Sequence, residues 1–172
     1  WVGVPRGSGG GGGGKRPQRW TGNVTLGFGW VDGGGGGHSS GGGDWPAGLL
    51  APRPGTSRAL GTTVGPAQVS CGPNGRTLVV TEKATSMIDT FTLGPQGRPV
   101  HEQQFASSGS TPFGFGFAKD TLVVSEAVGA PPGSAVSSYD LDRDGSLTTI
   151  TGAAPTHQVA ACWIAVTGKG PV

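Results

Sequence analysis

The sequence predicts an all-β chain. It reads as a partial β-propeller of about two and a half four-stranded antiparallel blades, preceded by a disordered glycine-rich segment. Three observations predict it. Residues 1–50 hold 20 of the 36 glycines, so the chain is two materials joined end to end. Past residue 60, β-branched segments are cut by turn residues, with no sustained 3.6-residue apolar period. Those segments then recur about every 45 residues, the length of one blade.

The head comprises residues 1–47. Gly9–Gly14 and Gly33–Gly37 are unbroken glycine runs. Such runs bury no side chains and lose much backbone entropy on folding, so coil is expected. A shifted reading frame in a GC-rich gene gives the same tryptophan-plus-glycine texture and is the alternative origin. Gly9-x4-Gly14-Lys15 copies the start of a phosphate-binding loop, but Arg16 follows where a Ser or Thr must reach magnesium, and no strand precedes it. Lys15-Arg16-Pro17-Gln18-Arg19 reads as a solvated linker. Asn23-Val24-Thr25 is a glycosylation sequon by pattern.

The body, residues 48–172, repeats. Pro66-Ala67-Gln68-Val69-Ser70 is echoed from Pro112, an offset of 46. Leu78-Val79-Val80-Thr81-Glu82 is echoed by Leu122-Val123-Val124-Ser125-Glu126, an offset of 44. Ile88-Asp89-Thr90-Phe91 is echoed by Val136-Ser137-Ser138-Tyr139, an offset of 48. A third copy opens at Thr156-His157-Gln158-Val159-Ala160-Ala161-Cys162. Within each unit the small-residue strand is expected near the axis and the continuous apolar strand between neighbours. The third strand alternates, and the fourth, Pro99–Phe105 in the first unit, is a polar edge. Asn74-Gly75 and Asp144-Gly145 supply hairpin turns. Asp140-x-Asp142-x-Asp144-Gly145 also resembles a calcium loop, but Thr151 stands where its glutamate should be, and a hairpin explains it better.

Charge and cysteine narrow the function. Residues 51–172 carry eight basic and eight acidic side chains, which argues against nucleic acid as a partner. No apolar run approaches about 18 residues, so no membrane-spanning helix is expected. Cys71 and Cys162 lie two units apart and are expected as buried free thiols. No His, Cys or acid pair has metal-ligand spacing. The chain opens on Trp1 with no signal segment, which reads as a fragment or processed product and leaves cytoplasmic and exported locations both open.

Val64-Gly65-Pro66-Ala67-Gln68-Val69-Ser70 with Pro73-Asn74-Gly75-Arg76-Thr77-Leu78-Val79-Val80-Thr81-Glu82 resembles the lactonase-type seven-bladed propellers. These include bacterial 6-phosphogluconolactonase and the carboxymuconate-lactonizing enzyme. Thr111–Phe115, Leu122–Ala127 and Ala161–Thr167 are similar to a bacterial branch of that family. The resemblance implies hydrolysis or isomerisation of a small lactone without a cofactor, with a lactone or sugar acid as partner. It also implies histidine, arginine and glutamate at one mouth of the channel. The family's Gly-Pro-His-x-His falls on Gly65–Val69, its Gly-Pro-Arg-His on Thr111–Gly114, and its Asn-Glu on Ser125-Glu126. Glu126 alone remains as the catalytic candidate, with His157 as a substrate-binding candidate. The missing imidazoles and arginine favour a second reading, a non-catalytic propeller that binds a ligand or protein. Two units and a start fall short of the roughly four blades a ring needs, so the open edges are expected to need further blades or to self-associate.

Overall fold

The computed structural model describes residues 56–61 and 63–167. The expectations for residues 1–47, with their phosphate-loop and sequon patterns, lie outside them. Two four-stranded antiparallel sheets account for the body. The first runs β1 (Pro66–Cys71), β2 (Thr77–Glu82), β3 (Met87–Leu93) and β4 (Pro99–Ala106). The second runs β5 (Pro112–Ala118), β6 (Thr121–Glu126), β7 (Ala135–Leu141) and β8 (Leu147–Pro155). Each sheet is a simple meander in chain order, so each is one blade of the repeat. Among the described residues the one helical turn is the 3₁₀ turn Pro95–Gly97, between β3 and β4.

Side-chain alternation fixes which face of each blade meets its neighbour. In the first blade, Leu78, Val80 and Phe91 point away from the second and are covered by Leu60 and Val64. Thr77, Val79, Thr81 and Ile88 point towards it and are wholly buried. Val79 and Ile88 there join Phe115, Leu122, Val124, Tyr139 and Leu141 in one apolar core between the blades. The continuous apolar run of β2 thus has both faces covered. The polar fourth strands lie outermost, with Val100 and Ile150 exposed.

Polar side chains fasten the blades where their backbones approach. The Gln68 amide spans from β1 to β5: Nε2 donates to the Phe115 carbonyl at 2.9 Å, and the Phe115 N–H donates to Oε1 at 2.9 Å. Thr81 Oγ1 donates to the Phe113 carbonyl at 2.6 Å. At the opposite end the first blade grips the β7–β8 hairpin. Thr90 Oγ1 donates to Gly145 O at 2.7 Å, and Thr92 Oγ1 and Gln103 Nε2 both donate to Asp144 O at 2.9 Å.

The third unit departs from expectation in detail. Residues 156–167 form no strand. Residues 156–160 instead make a crossover like that of residues 107–111 between the blades. Ser107 N–H donates to Ser86 O and Thr111 N–H to Ser86 Oγ. One unit later, Thr156 N–H donates to Ser134 O and Ala161 N–H to Ser134 Oγ. Residues 161–167 then lie over β5, with Ser125 Oγ donating to Ala161 O as Thr81 does to Phe113 O. A segment held through the turn and the face of a sheet, and not along its edge, is not a ladder strand. The cysteines also need correction. Both are free, but Cys71 is exposed and Cys162 half-buried. Cys71 is the last residue of β1, an edge strand, and shares the face of Val69 that points away from the second blade.

Candidate functional site

The ends of β1, β2, β5 and β6 that carry Pro66, Glu82, Pro112 and Glu126 face the same way. The β2–β3 and β6–β7 turns and both crossovers gather there, so both candidate residues lie at this end. Glu126 closes β6, paired between Pro112 and Ala135. Its side chain turns inward towards the crossover from the first blade and is 0% exposed. Oε1 accepts three hydrogen bonds: Gly109 N–H at 2.7 Å, Ser137 Oγ at 2.6 Å and Ser107 Oγ at 3.1 Å. Oε2 is buried without a partner. Tyr139 Oη accepts the Ser108 N–H at 2.8 Å beside them. Glu126 and Tyr139 of the second blade therefore hold Ser107-Ser108-Gly109, the chain entering it, and Ser137 donates to Glu126 from β7.

Gly109 permits this closeness. A methyl carbon there would overlap Glu126 Oε2 and lie 2.5 Å from Cδ and 2.9 Å from Oε1. The backbone lies directly on the carboxyl group.

His157 is placed differently. It is exposed, at the apex of the second crossover, in the left-handed region with φ 58°. Its neighbours do the bonding: Thr156 donates to Ser134 O, and Gln158 O accepts the Ser134 N–H at 2.7 Å. No hydrogen bond among the described residues joins His157 to Glu126. The two candidates share an end of the molecule and do not form one constellation.

The first blade holds the repeat-mate of Glu126, which sequence reasoning noted only as a structural echo. Glu82 is wholly buried, with Oε2 accepting from Thr85 Oγ1 at 2.6 Å. Its neighbour is Asp89, which stands one unit before Ser137. Asp89 Oδ1 accepts from Gln104 Nε2 at 2.9 Å. Burial, then the hydrogen bond to Glu82, push the Asp89 carboxyl up to about 7, against a smaller downward pull from Gln104. The first blade sets a second acid beside Glu82 where the second blade uses a serine hydroxyl. The repeat offset of 48 and a lone acid within a strand were the available signals.

The arrangement sets limits on chemistry. A general base must present a lone pair to water or substrate. Glu126 has an unengaged oxygen, but it is sealed inside the crossover. Among the described residues no cationic or imidazole group hydrogen-bonds or pairs with it to hold an oxyanion. No group of three or more His, Cys, Asp or Glu that could hold a metal occurs among the described residues. In the β7–β8 hairpin, Asp144 Oδ1 instead accepts the Ser146 hydroxyl at 2.7 Å and N–H at 2.9 Å, which hold its carboxyl below the usual range.

Comparison with known proteins sharpens the fold. No protein-family model matches the sequence, and no curated protein matches it. A crystal structure of a proposed 6-phosphogluconolactonase from Bacteroides fragilis is similar at TM-score 0.53 and 16% identity, over 66% of this chain. The likeness is one of fold, that of consecutive four-stranded propeller blades. The match takes in 32% of the Bacteroides protein, so this chain spans about a third of its length. A protein from Lactobacillus plantarum aligns at TM-score 0.36 and 13% identity, over 68% of this chain and 48% of its own.

Proposed function

We propose that this chain is a lactonase-like propeller module that binds a ligand or partner, with its retained glutamate converted from lactone chemistry to holding the blades in order. One observation carries the reading. Glu126 is fully buried and spends Oε1 on three donors, two of them in the crossover that enters its blade. A carboxylate so placed fastens chain to chain. The exposed His157 on a separate segment gives it no imidazole partner. The likeness to a proposed 6-phosphogluconolactonase favours a small lactone or sugar acid as the ligand class, and hydrolysis of such a lactone is the competing reading.

Incubation of the protein with 6-phosphogluconolactone and with muconolactones, followed by loss of the ring ester, tests this. Hydrolysis no faster than buffer is expected, both for the parent and for Glu126→Gln. The variant should also melt earlier, because an amide that keeps its carbonyl towards the three donors of Oε1 buries an unpartnered NH2 at the Oε2 position, costing about 1–3 kcal/mol. Turnover in the parent that vanishes in a still-folded Glu126→Gln protein would overturn the proposal and restore the enzyme.

A further inference from the structure

Lys83, Phe113 and Trp163 meet at the end of the blades where the candidate residues lie. Lys83 follows Glu82 directly after β2, Phe113 is the second residue of β5, and Trp163 lies on the segment that covers β5. Lys83 Nζ stands 5.2 Å from the centre of the Phe113 ring. The Trp163 indole meets the same ring edge-on, with ring centres 5.4 Å apart. Ammonium and indole thus share one half-buried phenyl ring as neighbour, close enough for a single small planar molecule to touch both.

Backbone contacts hold each of the three in place. The Lys83 N–H donates to Gly65 O at 3.1 Å, and the Lys83 stem lies against Gly65, where a methyl carbon would stand 3.4 Å from both Cγ and Cε. The Phe113 carbonyl takes the Thr81 hydroxyl. Trp163 follows two anchored residues: Ala161 O accepts from Ser125 Oγ, and Cys162 O accepts the Gly114 N–H at 2.8 Å. That approach needs glycine, since a methyl carbon at Gly114 would lie 2.5 Å from Cys162 O and 2.9 Å from Trp163 Cε3. The indole is nevertheless 69% exposed. A large aromatic side chain on an anchored backbone, left open to water, is a preformed stacking surface. Lys83 is exposed as well, and no acidic side chain among the described residues pairs with it. Glu82, its neighbour in sequence, keeps its carboxyl group inside on Thr85. The ammonium rests against the phenyl ring and still offers its donors to an anion.

We infer that Lys83 and Trp163, set about Phe113, form a binding site for a small aromatic carboxylate. The ring of the ligand stacks on the exposed indole, and its carboxylate reaches the Lys83 ammonium. This site rests on the ligand-binding reading above and gives it a place and a ligand class. Charge selects the sign, because a cationic aromatic would meet Lys83 as a like charge that stacking alone must offset. Side-chain chemistry selects the body. The three residues offer two aromatic surfaces, one ammonium and the indole N–H. A flat apolar ring gains more from these than a chain of hydroxyls, which needs many hydrogen-bond partners. Glu126 takes no part, since its donors are Ser107, Gly109 and Ser137.

The test follows the Trp163 indole N–H by NMR in the full chain, identified as the signal lost in Trp163→Leu. Added 2-naphthoate is expected to shift it saturably at millimolar concentration. 2-Naphthylmethylamine, the same ring with the opposite charge, should bind about fivefold more weakly or worse, and acetate, the charge without the ring, should leave the signal unmoved. Lys83→Met keeps the stem and removes the charge. It should weaken naphthoate about fivefold, bring the two naphthyl ligands level and leave the melting temperature in place. A Trp163 signal that ignores naphthoate overturns the inference, as does an amine that binds as tightly as the acid, or a naphthoate affinity untouched by Lys83→Met. Gluconate that moves the signal as strongly as naphthoate overturns the aromatic class and leaves the ligand-binding reading standing. Loss of the ring ester, which decides that reading, is measured apart from these titrations, so the two can fail separately.

Discussion

Replacing Gly109 by alanine lowers stability by about 3 kcal/mol, within the range expected when a methyl group is forced into a filled interior. The added carbon overlaps the Glu126 carboxyl group, so one of the two must move. If Glu126 swings away, Oε1 gives up Gly109 N–H, Ser107 and Ser137 together. If the backbone retreats, the Ser108 N–H leaves Tyr139 and the crossover loosens. Either route strands buried polar groups, at about 1–3 kcal/mol each. Chemical denaturation of Gly109→Ala measures the loss. The pair with Glu126→Ser should recover part of it, since the shorter side chain vacates the overlap. A double variant as unstable as the sum of the singles would mean that the two residues do not meet as described.

Asp89→Asn stabilises the protein at pH 8 and flattens its stability between pH 5 and 8. The sign follows from the proton count. Asp89 holds its proton in the fold up to about pH 7, while its ordinary value is 3.8. Between those values the folded state binds more protons than the unfolded one, so the contribution of this pair is full in acid and is lost as pH rises through 7. Asparagine keeps the oxygen that Gln104 Nε2 uses and offers Glu82 an N–H at every pH. A rise in melting temperature of about 5 °C or more at pH 8, shrinking towards pH 5, is expected. A parent protein equally stable at pH 5 and pH 8 would show that burial beside Glu82 does not raise the Asp89 carboxyl.

Much of the fold was legible because the repeat makes the same physical demand twice. β2 reads as an apolar run because both its faces are covered, β6 repeats that run with Thr121 and Val123 half-exposed, and the Asn74-Gly75 turn was visible from its residues. Gly75 takes φ 64° there, and Asn74 Oδ1 accepts the N–H groups of Arg76 and Thr77. What stayed hidden depends on where backbones approach. Ser107-Ser108-Gly109 reads as an ordinary polar loop, and only the fold shows it lying on a carboxylate. Glu126 stood out as a remnant of a catalytic motif. Its echo in Glu82 pointed towards a structural task, but that task needs Ser137, Tyr139 and a crossover that no spacing joins to it. The cross-blade role of Gln68 was equally silent, since it contacts a strand 47 positions on. Thr156–Cys162 opens a third copy in sequence, although the hydrogen bonds of residues 156–160 make them a bend between units.

The two outer hairpins look interchangeable as grafting points, and they are not. Pro95–Gly97 is closed by its own bonds, Gly97 N–H to Gly94 O and Gly94 N–H to Arg98 O, so foreign residues spliced at its tip leave those anchors in place. Asp144-Gly145 is held by Thr90, Thr92 and Gln103 of the neighbouring sheet. An epitope inserted there acts as a wedge, prising apart the very surfaces that keep the two sheets in register.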